Sequence, residues 1–133
     1  MGRGLSDLQQ DIIVMAYENK EAGVVSYRVV GDNYKYKSEI VAEVKREQIL
    51  TERFGWEPST KRGRPGVFSR TDIGPERYNR VMASLSRSLH RLEERGLVWF
   101  THSVLAAGWS GVELTEEGEA EARRILERRD AIG

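Results

Sequence analysis

Cysteine is absent from the 133 residues, so neither a disulfide framework nor a thiolate metal site can be built. That absence is compatible with a reducing compartment. Histidine occurs only at His90 and His102, and neither stands in a metal-ligand pattern. There is no glycine-rich phosphate loop, serine nucleophile elbow or paired-carboxylate motif. The chain therefore reads as a non-enzyme with no cofactor and no metal. No apolar run approaches the roughly 20 residues of a membrane span, and the N-terminus shows no signal-peptide core. A cytoplasmic protein with no membrane partner is the expectation. Net charge is lacking too, 21 basic residues balancing 21 acidic ones. A neutral total argues against a polyanionic partner only when the charge is evenly spread.

Here it is not. Residues 61–91 hold eight Lys or Arg against two acids, Asp72 and Glu76, whereas the first 60 residues carry ten acids and eight bases. The basic block runs into Gly74 to Leu97, the stretch around which the chain is organised. Pro75 at a first helical position and Gly96 just past a last one mark a helix over 75–95. Glu76 suits the positive end of its dipole. Gly96 can take the left-handed C′ conformation, with Leu97 folding back onto Leu92 as the hydrophobic contact of a Schellman stop.

Tyr78, Val81, Met82, Leu85, Leu89 and Leu92 recur at three- and four-residue steps and form the buried stripe. The opposite face carries Arg77, Arg80, Ser84, Arg87, Ser88 and Arg91, with no acid between Arg77 and Arg91. Arginines spaced by small residues let a helix approach a phosphate backbone closely, as in a major groove. The competing reading is a solvated basic face.

The length fits a single domain, 1–133, with a modest core. Ser6 to Gln9 forms a capping box opening a helix over 5–19, with Leu5 as its staple residue. Leu8, Ile12, Met15 and Ala16 form its stripe, and Ile13 and Tyr17 widen it, as core or as a dimer seam. Residues 24–30 are β-branched and aromatic and read as a strand. Tyr34 to Lys37 continues as an extended or turning segment. Ser38 is read as the cap of a helix over 38–54, stopped by Gly55 with Trp56 packing back.

Residues 57–73 hold two Pro and two Gly among small polar residues and read as a long loop. Within it Lys61, Arg62, Gly63, Arg64 and Pro65 look like the core of an AT-hook. Glycine permits depth in a narrow minor groove and the flanking arginines follow its negative potential. A generic phosphate-contacting or solvated loop is the alternative, and Arg70 extends its basic character. Residues 97–114 read as a β-hairpin turning near Gly108, and Thr115 caps a last helix over 115–129. The three tryptophans, Trp56, Trp99 and Trp109, are candidates to line an effector pocket.

Ser84 to Val98, followed by Val112-Glu-Leu-Thr-Glu-Glu-Gly118, resembles the recognition helix, wing and LT-x-x-G junction of MarR-type and related winged-helix transcription regulators. The similarity covers about the last 60 residues. It implies an α+β, mainly α fold: a winged helix-turn-helix with a long loop before the recognition helix. It also implies a homodimer formed through terminal helices, and DNA contacts at Ser84, Ser86, Arg87, His90 and Arg91, to which Arg80 is a plausible addition. The chain departs from the pattern in three ways. Its hairpin tip, Val104 to Trp109, is apolar instead of basic. Its inter-helix turn is a loop of about 18 residues. Its last helix is short for dimerisation.

The expected function is therefore sequence-specific binding of double-stranded DNA, as a transcription regulator. Alternatives are a winged-helix protein-interaction module using the apolar hairpin tip, or an accessory DNA-binding subunit of a mobile-element, replication or restriction system.

Overall fold

A computed structural model of the chain describes residues 4–30, 35–58, 68–102 and 109–132, without the side chains of 28–30 and 36. The fold is α+β, with helices predominating. Helix α1 (Asp7–Glu21) occupies its centre. The Ser6 hydroxyl accepts from the Gln9 N–H at 3.2 Å, and the Gln9 side chain accepts from the Ser6 N–H at 3.0 Å, so the capping box closes in both directions. Ile12, Ile13, Val14 and Ala16 are all buried and Tyr17 is half-buried. A helix buried on more than one stripe is one surrounded by its own chain. Ile13 thus belongs to the core and not to a dimer seam.

The strongest departure from expectation follows α1. Strands β1 (Val25–Val30) and β2 (Lys35–Ile40) form an antiparallel ribbon. A short strand β3 (Glu43–Lys45) then leads directly into helix α2 (Arg46–Phe54). The helix expected over 38–54 therefore begins only at Arg46. Ser38 lies in β2 opposite Tyr27, and the N-cap position is held by Lys45 with no side-chain bond. The cause is cross-strand pairing. Ile40 lies opposite Val25, and Val44 opposite Val112, and β-branched residues with partners favour the extended form over a local helical spacing. The end of α2 is as expected. Gly55 adopts φ 68° and the Trp56 N–H reaches the Leu50 carbonyl at 3.0 Å.

Beyond residue 68, the expected loop 57–73 is interrupted by a single helical turn, α3 (Arg70–Ile73), whose Ser69 cap accepts from the Asp72 N–H at 3.2 Å. The long helix α4 (Pro75–Glu94) follows, then β4 (Val98–His102) and β5 (Trp109–Leu114), and last α5 (Glu116–Ile132). The second sheet has the order β3-β5-β4, all antiparallel. Its inner face presents Val44 and Val112, both fully buried, to the helices. Its outer face carries the row Glu43, Glu113 and Trp99.

Helix α5 packs along α1, with Lys20 on Glu119 at 2.6 Å and with Asp11 shared between Arg53 at 2.8 Å and Arg129 at 3.0 Å. Among the described residues no helix is long and apolar enough to cross a membrane.

Candidate nucleic-acid interface

The geometry of α4 is fixed at both ends by residues with unusual backbone freedom. Gly74 takes φ 100° and turns the chain out of α3, and Pro75 starts the next helix at once. At the other end Gly96 has φ 74°, its N–H bonds Glu93 O at 2.9 Å, and the Leu97 N–H bonds Leu92 O at 3.0 Å. These are the two bonds of a Schellman motif. Between the ends Leu85, Leu89 and Leu92 are fully buried. Truncating any one of them to Ala costs about 2–5 kcal/mol. The helix is therefore a rigid rod held along one side.

Its other side is basic. Arg77, Arg80, Arg87 and Arg91 are exposed, while Ser84 and Ser88 are half-buried between them. Among the described residues Arg80, Arg87 and Arg91 meet no carboxylate, and Arg77 makes only a 3.5 Å contact with the Phe54 carbonyl. Several arginines elsewhere are spent internally. Arg53 and Arg129 grip Asp11, and Arg124 and Arg128 reach Glu121 at 2.7 and 3.9 Å. Arg70 of α3 is exposed just ahead of this face, at the N-terminal end of α4.

Ser84, Arg87, Ser88 and Arg91, with Glu94 and Arg95 at their end, also form one wall of an open groove of about 750 Å³, whose other wall is Gly4, Ser6, Leu8 and Gln9 around the start of α1. Of the expected contacts, the structure thus brings Ser84, Arg87 and Arg91 together on one flank. Ser86 and His90 turn the other way. The His90 ring lies 4.9 Å from Phe100, which meets Trp109 at 5.6 Å, and the Arg46 guanidinium sits over Trp109 at 5.3 Å. This row ties α4 to the β4–β5 hairpin and to the start of α2. Neither Arg46 nor the row was legible in sequence, because its members are far apart along the chain. Trp109, expected at the hairpin tip, is half-buried within β5.

No family model, curated protein or solved structure matches this chain.

Lys61, Arg62 and Arg64 lie outside the described residues, as does 103–108 at the expected hairpin tip. The described residues on either side of the 59–67 segment do meet. Trp56 and Phe68 are in edge contact at 5.6 Å, and Trp56 stacks on Tyr78 of α4 at 5.3 Å. Both ends of the basic segment are therefore anchored beside the first turn of α4, next to Arg77. The three tryptophans do not share a pocket. Trp56 sits in this clamp, Trp109 in the row below α4, and Trp99 is 46% exposed on the outer sheet face. Among the described residues no three His, Asp or Glu converge as metal ligands.

Proposed function

We propose that the protein is a sequence-specific double-stranded DNA-binding protein of winged helix-turn-helix type, acting as a transcription regulator. In this reading α4 lies in the major groove and the 61–70 segment makes an auxiliary contact. One observation carries the proposal: a helix held rigid at both ends presents Arg80, Arg87 and Arg91 without a counter-charge among the described residues. Leaving three guanidinium groups unpaired on one face suits a polyanion that supplies the acceptors.

The strand order β3-β5-β4, with a hairpin directly after α4, supports the winged type. The Trp56–Phe68 clamp supports the auxiliary contact, since it holds the described residues on both sides of the 59–67 segment against Tyr78, near Arg77 and Arg80 of α4. The protein-interaction alternative loses its best anchor, because the Trp109 ring is engaged by Phe100 and Arg46.

Fluorescence anisotropy of labelled mixed-sequence and A·T-rich duplexes, titrated against salt, tests this. Each bound Arg or Lys adds about 0.9 to the slope of log affinity against log salt. Arg87→Ala/Arg91→Ala should lower that slope by about 2 and weaken binding on every sequence. A selective loss on A·T-rich duplex after Arg62→Ala/Arg64→Ala would support the minor-groove arm. An absence of binding at about 50 mM salt, where phosphate contacts are strongest, sinks the proposal.

A further inference from the structure

The β1–β2 ribbon is built inside out. A ribbon lying on a protein normally buries its apolar face and shows water its polar one. Here the inward side holds Ser26, which is buried and donates to the Glu43 carboxylate at 2.5 Å, and the same alternation carries Lys37 paired with Glu39 at 3.3 Å. The outward side carries Val25, 44% exposed, its partner Ile40, 55% exposed, Tyr27, 72% exposed, and Ser38 opposite Tyr27. Val24 adds a further 47%-exposed residue at the base. Four of the six exposed large apolar side chains among the described residues thus gather at this one place.

We infer that this face is the docking surface for a second copy of the same chain, two ribbons packing face to face about a two-fold axis. A two-fold interface sets a surface against its own image, so it must carry no charge that meets itself. Val25, Tyr27, Ser38 and Ile40 satisfy this, and every described charge of the ribbon belongs to the other alternation. A charged partner would find no counter-charge on this face. A two-stranded ribbon is also marginal by itself in water and gains from a second layer. The face measures roughly 20 Å by 10 Å from strand dimensions, smaller than the ~800 Å² per partner of a stable dimer. The association is accordingly reversible and concentration-dependent. It is independent of the DNA-binding proposal, since the ribbon shares no residue with α4.

The test uses the full chain without DNA. Sedimentation velocity across roughly 1 µM to 1 mM, the range where small apolar interfaces associate, should show a monomer–dimer equilibrium. Tyr27→Glu should weaken it at least tenfold, with an unchanged circular dichroism spectrum because Tyr27 is exposed. Because the chain has no cysteine, Ser38→Cys should form a disulfide-linked dimer under mild oxidation, whereas Glu127→Cys on α5 should not. A wild-type monomer throughout overturns the inference, as does a dimer indifferent to Tyr27→Glu or equal cross-linking by both cysteine variants. A monomer that instead floats with phosphatidylglycerol-containing vesicles, and stops doing so in Tyr27→Glu, assigns the face to lipid and overturns it as well.

Discussion

Glu43 is where the ribbon, the second sheet and the charge balance meet in one side chain. It is 7% exposed, and burial pushes its carboxyl pKa up, but the Ser26 and Thr101 hydroxyls and the Lys45 ammonium at 3.3 Å together outweigh that and hold it below its ordinary 4.5. A folded carboxyl with a depressed pKa contributes stability that is fully present above the unfolded value. That contribution is lost as pH falls through the folded one. Denaturant midpoints should therefore fall on acidification below about pH 4.5. Glu43→Gln should flatten that acid limb and cost about 1–3 kcal/mol at neutrality, by exchanging a charge-assisted bond for a neutral one. Equal acid limbs in wild type and variant would remove Glu43 from this role.

Between elements, the junction of α4, β4 and α5 shows how a short sequence pattern acquires a physical cause. The Thr115 hydroxyl donates to the Gly96 carbonyl at 2.6 Å and accepts the Gly118 N–H at 3.0 Å. A Cβ at Gly118 would meet the Leu97 carbonyl oxygen at 2.0 Å. Gly118→Ala must therefore push α5 off the end of α4, and a loss of roughly 1–3 kcal/mol is expected in chemical denaturation. An unchanged midpoint would mean that α5 shifts freely.

That junction was legible in sequence, and so was α4, because their signals are local: Gly74-Pro75, the leucine stripe, and Gly96 followed by Leu97. The ribbon was only half legible. β1 announced itself through β-branched residues, but β2 reads Lys-Tyr-Lys-Ser-Glu, and its Ser38-Glu39 imitates a helix cap. Only pairing with β1 decides it. The roles of His90 and Trp109 were hidden for the same reason, since ring contacts across the fold leave no trace in spacing. At the candidate interface, the arginine face could be read from periodicity, but which arginines are left without a carboxylate could not.

On the scale of the molecule, the chain combines zero net charge with arginines on α4 that meet no carboxylate among the described residues, so local potential and not net charge is what a polyanion would feel. Its elements are also cross-tied. Helix α1 packs on α2, α4, α5, β3 and β5, and the Asn19 amide donates at 2.8 Å both to the Glu43 carbonyl and to Gln48. Unfolding should accordingly be one cooperative event. Tryptophan fluorescence, drawn from the 56–68 clamp, the outer sheet face and the ring row, should share a single midpoint with helical circular dichroism. Separate midpoints would show that part of the chain melts alone.

The ring contact between Trp56 and Phe68 has one more consequence, for how this chain tolerates change. Because the two ends of the intervening segment are already joined, the frame does not register the length of what lies between them. Closing a segment twice as long costs only about 0.6 kcal/mol more. A peptide spliced in between Pro58 and Phe68 should thus leave the denaturation midpoint of the rest of the chain nearly unchanged, while the chemistry beside α4 is exchanged.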